Sequence, residues 1–305
     1  MRIVFFGTGE FAVPTLRACS QWISLVVTQP DRPSGRGLRV QPSPVKLAAQ
    51  NLGLPVESPE RSRAPEFLSR LLDEHADFLV VASYGQILSQ SVLDSAKGGG
   101  INLHGSILPK YRGAAPIQRC ILDGAHETGV SLMQMDKGMD TGDVIAVERT
   151  QIGPDETYGE LQSRLAEIAA AMAARWMPAI ESGDAPMAPQ NHLEATLSPK
   201  VSKEEAELVP TRAAVDEYNR FRAFTPSPGA YLRTRSGVLK LLSARLSACV
   251  ESPGTVIATN PLLVVAFENG ALELREVQPE GKKRMSGGDY ANGARLRKGD
   301  RLGIV

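Results

Sequence analysis

The sequence predicts an α/β protein: a parallel-rich sheet covered by helices, followed by a small β-barrel. Three observations point there. Short runs of apolar, β-branched-rich sequence recur through the first half: Ile3–Phe6, Leu25–Thr28, Phe78–Ala82, Ile101–Leu103 and Val130–Met135. Helix-like stretches separate them, at Phe11–Ser20, Pro44–Leu52, Ala64–Glu74, Gln86–Lys97 and Ala115–Leu122. Near-continuous apolar strands alternating with amphipathic helices imply a parallel sheet buried on both faces. Glu156–Ile180 reads as one long helix, Ala-rich around Ala166–Ala174. The rhythm is then lost over Glu181–Pro210, rich in Pro, Ser, Asn and Gly, which reads as a linker. A helix at Ala213–Phe224 follows. Short strands come next at Ala230–Arg235, Val238–Ala244, Gly254–Ala258, Leu262–Phe267 and Leu272–Val277, with turn signals between them, the pattern of a small barrel. The expected organisation is therefore a domain over 1–190, a linker over 191–207 and a second domain over 208–305.

The composition fits a soluble protein, with 42% hydrophobic and 22% charged residues in 305. No apolar run approaches the ~20 residues needed to cross a bilayer. Cys19, Cys120 and Cys249 are few and far apart, which argues for a reducing, cytoplasmic setting without disulfides or a zinc site. The net charge is zero, but it is split. Residues 208–305 carry 15 Lys and Arg against 9 Asp and Glu, a net of +6, and residues 1–207 carry the balancing −6. A basic C-terminal part suits a polyanion, and it is equally compatible with an ordinary solvated surface.

The chemistry-bearing segment is Gly100-Ile101-Asn102-Leu103-His104-Gly105-Ser106-Ile107-Leu108-Pro109-Lys110-Tyr111-Arg112-Gly113. Asn102 and His104 stand two apart at the end of an apolar run, so in a strand both face one side. Gly and Pro then force the chain into a loop. An amide and an imidazole together can hold a developing oxyanion and move a proton. The Gly-rich segment 135–143 supplies Asp136, Asp140 and Asp143, any of which could orient the imidazole or simply serve a turn. Gly7-Thr8-Gly9-Glu10-Phe11-Ala12 matches the weak form of a dinucleotide fingerprint. With no acidic residue closing the second strand, a tight strand-to-helix turn is the better reading. Arg32, Arg36 and Arg39 lie on a loop punctuated by Pro and Gly, suited to phosphates or to plain solvation.

These segments carry a family resemblance. Asn102–Gly113 resembles the signature of the formyltransferases that use a formylated tetrahydrofolate, and 135–143 resembles their second catalytic loop. Ala114–Gln118, Ser202–Ala206, Arg222–Phe224, Gly281–Lys283 and Met285–Ser286 extend the similarity nearly end to end, toward the methionyl-tRNA formyltransferases. The resemblance implies a Rossmann-like formyltransferase domain followed by an OB-like barrel. It implies formyl transfer from 10-formyltetrahydrofolate to the methionine amino group of initiator methionyl-tRNA, by a cytoplasmic monomer and without a metal. It selects Asp140 as the partner of Asn102 and His104. Asn102 would donate to the oxyanion, and His104, held cationic by Asp140, would stabilise the same charge and assist proton transfer. Ser106, Ile107, Leu108 and Pro109 would bind the folate, and Tyr84–Leu88 would line its ring pocket. Arg32, Arg36 and Arg39 would contact the tRNA, with Arg36 the main contact. Arg233, Arg235, Lys240, Arg245, Lys282, Lys283 and Arg284 would meet phosphates from the second domain.

Three other functions compete with this one. A formyltransferase for a small amine shares the signature but needs neither the arginine loop nor a basic domain. A nicotinamide oxidoreductase rests on Gly7, Gly9 and Ala12 alone. A noncatalytic RNA binder would have no use for an intact Asn102, His104 and Asp140.

Overall fold

The computed structural model describes residues 1–34 and 39–303. Its strands in chain order are β1 (Ile3–Gly7), β2 (Ile23–Val27), β3 (Arg32–Ser34), β4 (Arg39–Gln41), β5 (Val56–Glu57), β6 (Phe78–Ala82), β7 (Gly100–His104), β8 (Arg112–Gly113), β9 (Glu127–Gln134), β10 (Val144–Gln151) and β11 (Leu197–Ser198), with β12 (Tyr231–Thr234), β13 (Gly237–Ser247), β14 (Val256–Ala258), β15 (Leu263–Phe267), β16 (Gly270–Pro279) and β17 (Met285–Ser286) after them. The helices are α1 (Ala12–Ala18), α2 (Pro44–Asn51), α3 (Pro65–Asp73), α4 (Gln90–Leu93), α5 (Pro116–Leu122), α6 (Tyr158–Ser182), α7 (Ala214–Ala223) and α8 (Gly287–Gly293).

The chain divides into two compact units that are discontinuous in sequence. The first holds 1–116, 127–151 and 162–199, and the second holds 117–126, 152–161 and 200–305. These limits differ from boundaries at 190 and 207, because two short stretches of the first half pack with the C-terminal part.

In the first unit, seven strands run in the order β10-β9-β7-β6-β1-β2-β5. The five from β5 to β7 are parallel. β9 pairs antiparallel with β7, and β10 antiparallel with β9. The sheet is thus parallel-rich rather than wholly parallel. β10 escapes the sequence reading because its outer half, Val147–Gln151, is largely exposed and charged. Every residue of β1, β6 and β7 is buried, which explains the unbroken apolar runs of the first two. Val4, Phe6, Leu25, Val27, Leu79 and Val81 form one core face with Phe67 and Leu71 of α3. Phe6 packs edge-on against Tyr84 with ring centroids 5.1 Å apart. Phe5 faces the other way and is also fully buried. Each such Phe contributes about 2–3 kcal/mol.

Local chemistry sets the helix ends. Ser43 caps α2 by accepting from the Lys46 N–H at 3.0 Å, with Pro44 at the first helical position. The expected helix Gln86–Lys97 shrinks to α4. Gln86 is drawn into contacts outside the helix, accepting from the Ser62 N–H at 3.0 Å, and the Ser95 hydroxyl turns back to the Val92 carbonyl.

The second unit is built on an antiparallel sheet, β12-β13-β16-β15-β14, with β17 on β16. It is a small barrel-like domain. Leu232, Leu239, Leu241, Leu263, Val265, Phe267, Leu272, Leu274 and Val277 form its core with Tyr218, Phe221 and Phe224 at and beyond α7. Register shifts between Leu241 and Ala244 let the long strand β13 bend.

Candidate active site

β7 delivers Asn102 and His104 to the same side at its C-terminal end, both buried. The loop between β9 and β10 brings Asp140 to them. Asn102 Nδ2 donates to Asp140 Oδ1 at 3.3 Å. His104 Nδ1 lies 3.6 Å from Asp140 Oδ2, which also accepts from the Gly113 N–H at 2.8 Å. The opposite ring nitrogen, His104 Nε2, is 2.8 Å from the Tyr111 carbonyl. A carbonyl can only accept, so this contact places a proton on Nε2. Nδ1 is then turned to the carboxylate.

The other two aspartates are placed differently. Asp136 Oδ1 accepts from the Gly138 N–H at 2.9 Å and the Thr141 hydroxyl at 2.7 Å, the work of a turn residue. Asp143 is exposed. Asp140 itself has φ 55°, a left-handed conformation that a non-glycine residue holds only against a cost. Gly142 lets the loop fold close to the strand, since a Cβ there would lie 2.0 Å from the Gln134 carbonyl oxygen.

Ser106–Pro109 follows directly. Ser106 is fully buried, with its hydroxyl donating to the Lys110 carbonyl at 2.7 Å. The Ser131 hydroxyl donates to the Ser106 carbonyl at 2.7 Å and accepts from the Leu108 N–H at 3.0 Å. The segment is therefore locked beside the site, leaving Ile107 and Pro109 half-exposed as an apolar wall. The wall stands beside an amide with one N–H to spare, an apolar surface with a polar anchor. The 83–88 loop is equally fixed: the Tyr84 carbonyl accepts from the Thr8 hydroxyl at 2.9 Å, and Gly85 has φ 87°. Burial pushes the Tyr84 phenol up to about 12, so the ring stays neutral as a core residue.

The glycine turn after β1 is structural. A Cβ on Gly7 would lie 2.8 Å from the Phe5 ring and 2.9 Å from Ala12 Cβ. The Thr8 and Gly9 amides both donate to the Ser83 carbonyl, at 3.1 and 3.5 Å, so they are spent on the fold rather than on a pyrophosphate. Among the described residues, no group of three or more His, Cys, Asp or Glu could hold a metal ion.

The expected RNA contacts are scattered. Arg32 is exposed on β3, and Arg39 opens β4, the partner strand of that hairpin. Arg36 lies outside the described residues. In the second unit, Arg233 pairs with Glu207 at 2.9 Å, Arg284 with Glu276 at 3.7 Å, and Arg245 with Asp155. Arg235, Lys282 and Lys283 are exposed, and Lys240 is half-buried.

Two site-building residues have no signal in local sequence. Arg112, inside the signature, is buried and reaches Gln190, which lies in the segment expected to be a linker. Only the non-local pairing of that segment with the site reveals them.

Comparison with known proteins fits this geometry. Residues 1–176 match the formyl transferase family, and residues 200–295 match the formyl transferase C-terminal domain. Over 308 residues the chain is 44% identical to the methionyl-tRNA formyltransferase of Solibacter usitatus (strain Ellin6076), covering 99% of each. It is 43% identical over 301 residues to that of Myxococcus xanthus (strain DK1622), covering 98% of this chain and 96% of that one. Among solved structures, a sugar 3N-formyl transferase, WlaRD, shares the fold with a TM-score of 0.67 at 17% identity, covering 93% of this chain and 99% of the other. HypX from Aquifex aeolicus, in complex with tetrahydrofolic acid, does so at 0.65 and 15%, covering all of this chain and 51% of that one. Matched along both of its parts, the chain belongs to the formyl transferase family.

Proposed function

We propose that this protein transfers the formyl group of 10-formyltetrahydrofolate to the α-amino group of methionine on initiator methionyl-tRNA. The observation that carries the reading is the Asn102–Asp140–His104 cluster at the end of β7, in a chain that aligns end to end with methionyl-tRNA formyltransferases. The remaining Asn102 N–H would donate to the formyl oxygen as it gains negative charge. One well-placed donor of this kind is worth about 3 kcal/mol. His104, held between the Tyr111 carbonyl and Asp140, would act as an imidazolium, adding positive charge beside that oxygen and, on releasing one of these two contacts, supplying a proton toward the leaving nitrogen. Ser106, Ile107, Leu108 and Pro109 would hold the donor with its reacting carbon near Asn102. Arg32, Arg36 and Arg39, with the exposed cations of the C-terminal sheet, would hold the acceptor stem by its phosphates. The reading carries with it a cytoplasmic monomer, and among the described residues no helix is long and apolar enough to cross a membrane.

The test is formyl transfer from labelled 10-formyltetrahydrofolate, with methionyl-tRNA and amino-sugar nucleotides as parallel acceptors. Label on methionyl-tRNA, lost with His104→Ala, supports acceptor and site together. Label on a small amine alone keeps the chemistry and removes the tRNA reading.

A further inference from the structure

Residues 188–198 have the composition of a linker, yet Gln190, Thr196 and Ser198 are committed to the site. Ala188 exchanges both backbone hydrogen bonds with Val144, at 2.9 Å each. The Tyr111 N–H donates to the Thr196 hydroxyl at 2.9 Å, and the Ser198 hydroxyl donates to the Tyr111 carbonyl at 2.9 Å. That same carbonyl accepts from His104 Nε2. β11 pairs with β8, setting Ser198 beside Gly113.

Gln190 is the centre of this arrangement. Its side chain is 8% exposed, and every polar position on its amide is used. Oε1 accepts twice from Arg112, from Nε at 3.1 Å and from Nη2 at 2.6 Å. Nε2 donates twice, to the Asp140 carbonyl at 3.0 Å and to the Gly142 carbonyl at 2.7 Å. Both carbonyls lie on the C-terminal side of the Asp140 Cα, its own and that of the second residue after it, so Gln190 fixes the path of the chain as it leaves the residue held at φ 55°. A non-glycine residue stays in that region only where its surroundings over-determine it. Arg112, 6% exposed, has a further contact to His192 Nδ1 at 3.1 Å and is thereby fixed behind the glutamine.

We propose that Gln190, backed by Arg112, is a positioning residue that fixes the Asp140 backbone so that its carboxylate meets Asn102 and His104. The assignment rests on the functional reading above. Gln190 has no reason to touch either substrate, since all four of its bonds point into the protein. It acts by keeping the carboxylate within reach of His104 Nδ1 and the Asn102 amide, where a displacement of about 1 Å costs on the order of a hundredfold in rate.

Gln190→Glu, read together with the Asp140→Asn background, separates this role from folding. It keeps the acceptor that the buried Arg112 guanidinium needs, and it removes the two N–H donors. The expected result is a fall in kcat of about 30-fold or more, with KM for both substrates within about twofold and a thermal midpoint lowered, since a carboxylate oxygen now faces two carbonyls, while unfolding stays cooperative. The same change is then made in an Asp140→Asn background. If Gln190 acts through Asp140, it costs less than about threefold there, the signature of two residues working as one unit. An unchanged kcat for Gln190→Glu, or a full and additive loss in the Asp140→Asn background, would overturn the proposal. A parent enzyme that formylates no methionyl-tRNA would instead overturn the functional reading, so the two failures are distinct.

Discussion

Asp140→Asn removes one charge and almost no volume. Asp140 Oδ2 stands 3.6 Å from His104 Nδ1. At an effective dielectric of about 20, unit charges at that separation attract by about 4–5 kcal/mol. If His104 is an imidazolium in the transition state, most of this is lost on neutralising the partner, or about a thousandfold in rate. A second cost is local. Asp140 accepts from the Asn102 amide on one oxygen and from the Gly113 N–H on the other. An asparagine can accept on one side only, so its own N–H₂ must face a donor on the other, at about 1–3 kcal/mol. Against a typical stability of about 5–15 kcal/mol the protein still folds. The assay is single-turnover transfer from labelled 10-formyltetrahydrofolate at saturating methionyl-tRNA, with thermal unfolding as the control. A fall of less than about tenfold, or a loss confined to KM, would refute the electrostatic argument.

Three further outcomes are expected. Glu74 is 5% exposed and accepts from Arg2 and Arg70 at 2.6 and 2.5 Å. Burial alone would raise its pKa, but hydrogen bonds from Ser24, Arg2 and Arg70 outweigh that and hold it below the ordinary carboxylate value. Its contribution is therefore complete above about pH 4.3 and fades as pH falls through the folded value. Glu74→Gln should cost about 1–3 kcal/mol at pH 7 and progressively less below pH ~4, as read by urea unfolding; a cost that stays constant with pH would contradict this. Burial pushes the Cys19 thiol up to about 12, and Cys120 is also buried while Cys249 is exposed. A disulfide reagent at pH 8 should label Cys249 rapidly and reach the other two only on unfolding. Arg36→Ala should raise KM for methionyl-tRNA, more at low salt than at high because one phosphate contact fewer makes the salt dependence shallower, and leave the folate KM unchanged; equal loss for both substrates would remove the loop from RNA binding.

The sheet is legible in the sequence where strands are buried on both faces. Ile3–Phe6 and Phe78–Ala82 read as strands because nothing polar interrupts them. The joint facing of Asn102 and His104 follows from strand period alone. The sequence leaves open which of Asp136, Asp140 and Asp143 meets them. That choice depends on how a nine-residue loop folds, with Asp136 absorbed by its own turn and Asp140 held in a left-handed conformation from outside. The strap at 188–198 is invisible for the same reason. Its Gln190, Thr196 and Ser198 side chains bond to partners 48 to 87 positions away, as in Gln190 to Gly142 and Ser198 to Tyr111. Local propensity carries no trace of such pairings. β10 hides behind its exposed charges, and α4 is shortened because Gln86 is recruited by Ser62 rather than by a helix.

The discontinuous second unit bears on how this gene can be cut and spliced. Within it, the Tyr218 hydroxyl donates to Asp155 at 2.6 Å, and the buried Arg222 donates to the carbonyls of Gly153 and Glu156 at 3.1 and 3.3 Å. A fragment begun at Lys200 would carry the tyrosine and the arginine but not these acceptors. It would keep the Arg222 bond to Asn219 but lose those to Gly153 and Glu156, at about 1.5–3 kcal/mol for each hydrogen bond from a charged group. The C-terminal region is therefore not a cassette that a single crossover can lift out. A functional chimaera between relatives has to bring 117–126 and 152–161 from the same parent as the tail, or else recreate the Asp155 and Gly153 contacts at the new junction.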